Sequence, residues 1–274
     1  MAAMAQARAQ ELVHIPSFDL SRGPGLVLKA FWFRAPVQAP APAVVLLHDC
    51  SGPYGRLGAL NTRMREYAAL LNEVGMHALV VDSLTPRGEK TICTQRVRAR
   101  LITQANRRLD ALSALDWLSQ RTDVDTARLG LMGWSNGGST VLAATNLRHP
   151  DMGRTAELMP AFAVAFYPGC ESERRRGYET RTRLLMLLGD ADDWTPASAC
   201  KQLAADAQGQ PVEVESYPKA YHDFDSRSVV RLRTDVPDGV HPGNGVHVGG
   251  NPEARTQSRK RLLRFLADAA SAPH

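Results

Sequence analysis

The stretch from Gly133 to Gly137, Gly-Trp-Ser-Asn-Gly, has Ser135 at its centre and a glycine spacing that suits nucleophilic catalysis. An apolar run at 129–132 precedes it and a helix-compatible segment at 140–147 follows it, so the pattern predicts a strand, a sharp turn and a helix. In such a nucleophile elbow, the two glycines permit a strained turn that exposes the hydroxyl and leaves the next amide free. An ordinary glycine-rich turn has the same composition, so the assignment depends on a histidine and an acid elsewhere.

Two later segments carry an acid and a histidine in matching positions. Three carboxylates follow an apolar run at 184–188, and any of them could orient a histidine. His222 follows a strand pattern at 212–217, on the loop before the final helix. The order serine, acid, histidine is that of an α/β-hydrolase triad, in which the histidine activates Ser135. A lone loop histidine is commonly a solvated surface residue, but the matching strand and loop contexts favour catalysis. The three carboxylates are Asp190, Asp192 and Asp193.

The elements that would position these groups alternate between short apolar strands and amphipathic helices. This alternation predicts an α/β fold with a mostly parallel, doubly wound sheet flanked by helices. Ligand sites of such sheets lie beyond the carboxyl ends of the strands, so the loops at 48–53, 82–93, 133–138, 189–196 and 218–227 are expected to gather at one edge. The predicted strands are 11–18, 25–34, 43–47, 76–81, 129–132, 162–167, 184–188 and 212–217, and the predicted helices are 64–71, 97–119, 140–147, 197–207 and one beginning at Pro252 behind an Asn251 N-cap.

Length and composition favour one large domain, predicted over residues 11–274, behind an N-terminal tail at 1–10. The chain has a formal net charge of +5, but its basic residues are scattered or lie on helix faces. We expect a solvated face there and no nucleic-acid surface. No run of about 18 or more apolar residues occurs, so no membrane span is expected. The basic residues on helix faces include Arg96, Arg98, Arg100, Arg107 and Arg108.

The sequence predicts neither a metal site nor a cofactor. Its four cysteines lack the short C-x-x-C spacing of zinc sites. His241 and His247 lie in a glycine-rich segment that offers no defined ligand geometry, and a mobile surface loop is expected there.

The N-terminal tail leaves the location of the protein open. Ala5-Gln6-Ala7 is similar to the small-residue cleavage site of an export signal, although no apolar stretch precedes it. One interpretation is a mature exported protein behind an added initiator methionine, which would be periplasmic or secreted. The alternative is a natural cytoplasmic start.

The chain resembles the dienelactone hydrolase family, in particular its exported relatives with a serine nucleophile, from about residue 25 to residue 268. The resemblance rests on three motifs: Gly-Trp-Ser-Asn-Gly-Gly around Ser135, Gly-x-x-Asp-x-x-x-Pro from Gly189 to Pro196, and Tyr-Pro-x-Ala-x-His-x-Phe around His222. It implies an α/β-hydrolase fold and the hydrolysis of small carboxylic esters or lactones without a cofactor. Founding members have a cysteine where this chain has Ser135, so the dienelactone itself is not carried over as the substrate.

The resemblance also assigns residues to roles. It selects Asp192 as the acid of the triad, because the catalytic carboxylate in this family comes three residues after the glycine. The backbone N–H of Asn136, directly after the nucleophile, should be one donor to the oxyanion, and the resemblance implies that the N–H of Cys50 is the second. We expect the side chain of Asn136 to be replaceable.

Five further side chains are candidates for contacts with the substrate. An acidic residue occupies the position of Asp49 in the family, where a loop-capping carboxylate is the alternative. Arg87 and Arg227 could bind a substrate carboxylate, as an arginine does in family members that take anionic lactones, or could be solvated. Trp134 and Trp194 could form an apolar pocket wall or serve packing alone.

The four cysteines, which allow three pairings, are expected to form two disulfides. Cys50 and Cys93 belong to the first two loops at the site edge, and Cys170 and Cys200 lie on either side of the strand and loop that carry the acid. We therefore predict the bridges Cys50–Cys93 and Cys170–Cys200, which would accord with export to an oxidising compartment.

Two other functions remain as alternatives to the esterase. A serine peptidase of the prolyl-oligopeptidase type shares the sheet and the triad order, but usually carries a gating domain for which this chain has no room. A non-catalytic binding protein on a hydrolase fold would be expected to lack a triad member, and none is missing. The sequence leaves the oligomeric state open.

Overall fold

The computed structural model describes residues 10–21, 23, 25–38, 40–150 and 156–271. The strands are β1 Glu11–Pro16, β2 Val27–Phe33, β3 Ala41–Leu47, β4 His77–Asp82, β5 Val124–Trp134, β6 Phe162–Phe166, β7 Glu179–Thr180, β8 Arg183–Gly189, β9 Gln208–Gly209, β10 Val212–Tyr217, β11 Arg231–Arg233 and β12 Val246–Val248. Eight of them form a central sheet in the order β1-β2-β4-β3-β5-β6-β8-β10. Two short two-stranded sheets, β7 with β9 and β11 with β12, lie outside it.

The central sheet is mostly parallel, as predicted. Only the pairs β1–β2 and β2–β4 are antiparallel, and the six strands from β4 across to β10 run parallel. The middle strands β3, β4 and β6 are buried along almost their whole length, because helices cover both faces of the sheet. This is the doubly wound α/β arrangement that the alternating strands and helices predict.

Helices pack on both faces of the sheet. They are α1 Thr62–Glu73, α2 Gln104–Ser119, α3 Asn136–Thr145, α4 Glu171–Arg176, α5 Ala197–Asp206 and α6 Pro252–Ser271. One face is covered by α2, α3 and α5, and the other by α1 and α6. The final helix begins where the sequence indicates, since the Asn251 side chain accepts a hydrogen bond from the backbone N–H of Ala254 at 3.0 Å.

The helix predicted over 97–119 begins seven residues later than expected. Thr103 caps α2 and forms a reciprocal capping box with Asn106, so the chain enters the helix there. Val97 and Leu101, which extended the apolar spacing, are 58% and 71% exposed and make no helical turn with α2. Apolar spacing alone therefore placed the helix start wrongly.

The glycine-rich segment around His247 also differs from the expected surface loop. It contains β12, which pairs with β11 and buries Val246 and Val248. The backbone N–H of His247 donates to Oδ1 of Asp193 at 2.8 Å, and Nδ1 of His247 lies 2.7 Å from Oδ2 of Asp193. These contacts attach the segment to the loop that carries the predicted acid.

The predicted tail at 1–10 lies outside the described residues, apart from Gln10. In the part of the chain that the structure describes, no helix is long and apolar enough to cross a membrane.

Candidate active site

The turn between β5 and α3 has the geometry of a nucleophile elbow. Ser135 has φ 52° and ψ −115°, a backbone conformation that residues other than glycine rarely adopt and that costs about 1–3 kcal/mol. Its N–H donates to the carbonyl of Phe166 on β6 at 2.9 Å, which holds the turn against the neighbouring strand. The serine hydroxyl is thereby presented at the carboxyl edge of the sheet.

The two outer glycines of the motif are required by close backbone contacts. A Cβ atom on Gly133 would overlap the carbonyl of Gly137, on the first turn of α3. A Cβ atom on Gly137 would overlap the carbonyl oxygens of Leu47 and His48, at the end of β3. Gly137 therefore sets how closely the elbow approaches the loop that carries Cys50.

The structure brings Ser135, His222 and Asp192 together from three loops. His222 Nε2 lies 2.8 Å from Ser135 Oγ, and His222 Nδ1 lies 2.7 Å from Asp192 Oδ2. All three residues are buried, with relative exposures of 7% for Ser135, 3% for His222 and 5% for Asp192. Of the three sequence candidates, Asp192 is the carboxylate that contacts the imidazole.

Asp192 is held in place by the loop that follows it. Its Oδ1 accepts hydrogen bonds from the backbone N–H groups of Trp194 and Thr195, at 2.9 and 2.8 Å. The other two acids of this loop have different partners: Asp190 pairs with Lys201 at 2.9 Å, and Asp193 contacts His247. The backbone hydrogen bonds leave Oδ2 of Asp192 directed at the histidine.

The loop that carries Cys50 is fixed on both sides. A disulfide joins Cys50 to Cys93, and the Cys50 carbonyl accepts a hydrogen bond from the N–H of Ile92 at 2.8 Å. On the other side, His48 Nδ1 lies 2.6 Å from the carbonyl oxygen of Asp49. Burial, followed by the charge of Arg107, lowers the pKa of His48 to about 4, so its imidazole is neutral at neutral pH.

Two clefts meet at Ser135, and Cys50 and Trp194 line both of them. The first, of about 600 Å³, is bordered by charged side chains that include Arg63 and Arg231. The second, of about 930 Å³, runs between the start of α2 and helices α4 and α5. Its apolar lining includes Ile102, Leu109, Pro196 and Ala199.

Three of the five predicted substrate contacts line the first cleft. Asp49 forms an ion pair with Arg63 at 2.9 Å. Burial raises the pKa of Asp49, but the charge of Arg63 and the hydrogen bonds from Ser51 outweigh it, so the pKa is lowered. Arg227 is exposed and lies 3.4 Å from Glu66. Trp194 packs against His222, with 4.8 Å between ring centroids.

Arg87 does not reach the site, contrary to the expectation of a substrate contact. Its side chain is 1% exposed and its guanidinium pairs with Asp19 at 2.7 Å and with Asp110 at 2.8 Å. A buried guanidinium needs such partners, and here they come from distant parts of the chain. The residue joins β1's connecting loop to α2 rather than binding substrate.

Trp134 is not a pocket wall either. It is fully buried behind the nucleophile, where its ring stacks on Phe166 at 5.4 Å and its Nε1–H donates to Asp225 at 3.1 Å. Asp225 was not singled out by the sequence, although it lies only three residues after His222. It is 3% exposed and accepts further hydrogen bonds from Tyr67 and Tyr167.

The prediction that Arg107 and Arg108 lie on a solvated helix face is also wrong. These side chains are 0% and 1% exposed, because α2 turns this side toward the sheet and α3. Arg108 Nε donates to the carbonyl of Ala143 on α3 at 3.0 Å.

The structure contains the two disulfides in the expected pairing, Cys50–Cys93 and Cys170–Cys200. Among the described residues, no group of three or more histidines, cysteines and acids is arranged to hold a metal ion.

Comparison with known proteins gives one family and one fold. Residues 28–269 match the model of the dienelactone hydrolase family. A dienelactone hydrolase from Anabaena variabilis superposes with a TM-score of 0.65 at 17% identity, over 94% of this chain and 97% of that chain. Thermogutta terrifontis esterase 2, phosphorylated by paraoxon, superposes with a TM-score of 0.64 at 18% identity, over 100% of both chains. A dienelactone hydrolase-like promiscuous phosphotriesterase from metagenomic libraries superposes with a TM-score of 0.63 at 17% identity, over 95% of this chain and 99% of that chain.

Proposed function

Because the chain belongs to the dienelactone hydrolase family and is a hydrolase, we propose that it cleaves small carboxylic esters or lactones with Ser135 as nucleophile, His222 as base and Asp192 as orienting acid. The family assignment confirms the resemblance that the sequence motifs indicate. The observation that carries the proposal is the pair of contacts made by His222, 2.8 Å to Ser135 Oγ and 2.7 Å to Asp192 Oδ2.

The contacts of His222 favour one tautomer. Asp192 is an acceptor when ionised, so Nδ1 carries the proton and Nε2 is free to accept one. Nε2 takes the proton of Ser135 as Oγ attacks the carbonyl carbon, and Asp192 stabilises the imidazolium that forms. The imidazolium then returns the proton to the leaving alkoxide, which leaves an acyl group on Ser135. Water, deprotonated by His222, releases the acid and restores the serine.

Two backbone amides are proposed as donors to the oxyanion of the tetrahedral intermediate. Asn136 begins α3, so its N–H lies at the positive end of the helix dipole and lacks an acceptor within the helix. Cys50 follows β3, whose end lies against Gly137 of the elbow. The loss of one such donor typically costs about 3 kcal/mol of transition-state stabilisation.

The clefts support a small-molecule substrate with two unlike sides. The cleft of about 930 Å³ has an apolar lining that suits an alkyl or aryl group, and the cleft of about 600 Å³ offers charged groups. Both meet at Ser135, so the scissile carbonyl would lie between them. Trp194 and Arg227 are the proposed contacts on the charged side, together with Asp49.

We further propose that the protein is periplasmic or secreted, with a cytoplasmic location as the alternative. The two disulfides are compatible with an oxidising compartment. Mass spectrometry of unreduced peptides from protein expressed under oxidising conditions tests this. Four free thiols would count against both bridges and against export.

A panel of p-nitrophenyl esters of increasing acyl length, run beside peptide p-nitroanilides, tests the reaction class. The proposal expects turnover of the esters and its loss in Ser135→Ala. Cleavage of the anilides alone would favour a serine peptidase, and no turnover of either class would favour a binding protein on this fold.

A further inference from the structure

Arg107, in the first turns of α2, is a buried guanidinium at the back of the nucleophile elbow. Its side chain is 0% exposed. One terminal nitrogen donates to the carbonyl of His48 at 2.7 Å, and the other donates to Oδ1 of Asn136. These two residues belong to the two segments that carry the proposed oxyanion donors.

The partners of Arg107 are unusual for a buried charge. Both acceptors are neutral, and its Nε has no hydrogen-bond partner among the described residues. Burial lowers the pKa of Arg107 to about 10, and aspartates such as Asp110 and Asp49 offset this only in part. The guanidinium is still charged at neutral pH, so the protein keeps a partly compensated positive charge beside the site at a cost in folding free energy.

His48 extends this contact to the amide of Cys50. Its Nε2 lies 3.3 Å from the N–H of Ser83, which leaves Nδ1–H to donate to the Asp49 carbonyl at 2.6 Å. The Asp49 carbonyl and the Cys50 N–H belong to one planar trans peptide and point in opposite directions. Holding the carbonyl therefore fixes the direction of the Cys50 N–H.

The other end of the contact fixes Asn136. Its side chain is held by Arg107, and its carbonyl accepts hydrogen bonds from Gln104 at 3.1 Å and Thr140 at 2.9 Å. Gln104 and Arg107 both lie on the first turns of α2, so one helix end holds both sides of this residue.

We propose that Arg107 is a positioning residue for the oxyanion hole, which aligns the amides of Asn136 and Cys50 by joining Asn136 to His48 and places a positive charge behind them. The inference rests on the proposed esterase function. An oxyanion exists only in the tetrahedral state, so the contribution of Arg107 is larger there than in the substrate complex.

Arg107→Gln and Arg107→Lys test the role by separating kcat from KM. With p-nitrophenyl butyrate, we expect Arg107→Gln to lower kcat by about 10- to 100-fold, with KM changed by less than about 3-fold. Binding of butylboronic acid, whose serine adduct mimics the tetrahedral state, should weaken by a similar factor. Arg107→Lys keeps the charge but has one nitrogen for two acceptors, so its kcat should lie between those of the wild type and Arg107→Gln.

Leu118→Ala is the control for a merely structural effect. Leu118 is a fully buried core residue of the same helix, about 16 Å along the axis from Arg107. Its truncation should lower the thermal midpoint while kcat of the folded enzyme stays within about 2-fold of wild type. An Arg107→Gln enzyme that folds and keeps wild-type kcat and boronate affinity would overturn the proposal, as would an equal kcat loss in Leu118→Ala.

Asn136→Ala tests the same contact from the other end if Arg107→Gln fails to fold. It retains the backbone amide but removes one of the two acceptors of Arg107 and with it the link to His48, so kcat should fall by about 10-fold at unchanged KM. Wild-type kcat in Asn136→Ala would contradict the proposal. Wild type and Ser135→Ala are assayed alongside. Ester turnover that survives in Ser135→Ala would reject the proposed nucleophile. Loss of turnover in Ser135→Ala supports the nucleophile, and the kinetics of the Arg107 variants then test the positioning role separately.

Discussion

The ring of Tyr167 lies edge-on against the imidazole of His222, with 4.7 Å between the ring centroids. The Tyr167 hydroxyl donates a hydrogen bond to Asp225 at 2.6 Å, and Asp225 follows His222 by three residues on the same loop. The same carboxylate accepts from Tyr67 of α1 at 2.9 Å and from Trp134 of β5 at 3.1 Å. Asp225 therefore ties the histidine loop to the helix and the strand that surround the nucleophile.

Tyr167→Phe should reduce both stability and turnover. It removes one hydrogen bond to a buried charged acceptor, so we expect the free energy of unfolding to fall by about 2 kcal/mol. A less firmly held ring beside His222 should lower kcat by roughly 3- to 10-fold. Urea denaturation and ester hydrolysis measure the two effects.

Tyr217→Phe is the matched control. Tyr217 is also buried, but its hydroxyl has no hydrogen-bond partner among the described residues. Removing that hydroxyl should leave stability and kcat nearly unchanged. Equal losses in both variants would show that the hydrogen bond to Asp225 does not account for the effect.

Gly137→Ala should abolish turnover by widening the gap between the elbow and β3. The added methyl group would overlap the carbonyls of Leu47 and His48, so the backbone has to move and the oxyanion donors move with it. Gly55→Ala is the control, because the nearest atom to its new methyl group would be 3.8 Å away. We expect wild-type kcat/KM from Gly55→Ala, and normal activity in Gly137→Ala would refute the close contact.

The two disulfides should differ in their effect on turnover. Each closes a loop, with sequence separations of 43 for Cys50–Cys93 and 30 for Cys170–Cys200, so replacing either pair by serines should cost about 2–4 kcal/mol of stability. Only the first pair holds a proposed oxyanion donor. Kinetics of the two double variants should therefore show a kcat loss for Cys50/Cys93 alone, and an equal loss in both would argue against a role for the Cys50 amide.

His48 should make stability depend on pH between about 4 and 6.5. Its pKa is lowered from 6.5 to about 4 in the folded protein, so the unfolded chain binds the proton first as pH falls. The stability is fully present above pH 6.5 and is lost as pH drops through the folded value, by about 3 kcal/mol in all. Denaturation at pH 7.5 and pH 4 should show a larger difference for wild type than for His48→Asn, whose side chain does not titrate. Parallel losses in the two proteins would place the titration elsewhere.

Much of the fold could be predicted from the sequence because its signals are local. Strands such as 184–188 are continuous apolar runs, and the glycines around Ser135 mark the elbow. The segments that contain Asp192 and His222 follow the elbow in the chain order of a triad. Selecting Asp192 among three acids needed the family resemblance, since its contact with His222 and the backbone hydrogen bonds that orient it depend on the folded loops.

The errors concern partners that are distant in sequence. Arg87 resembles a rim arginine until its ion pair with Asp19, 68 residues away, is known. The helix position of Arg107 predicts a solvated side chain, because a charged residue on a helix usually is solvated. The acceptors that it contacts instead are 59 and 29 residues away. No sequence pattern indicates that the Asn136 side chain accepts a hydrogen bond from Arg107. No spacing rule connects such residues, so only the packed structure brings them together.

Reaction with a fluorophosphonate ester, followed by peptide mass spectrometry, tests the central assignment most directly. The phosphonyl group transfers to an activated serine hydroxyl and remains there, so the modified residue identifies the nucleophile. We predict one adduct, on Ser135, with complete loss of ester hydrolysis, and neither labelling nor hydrolysis in Ser135→Ala. An adduct on another residue, or hydrolysis that persists in Ser135→Ala, would contradict the account.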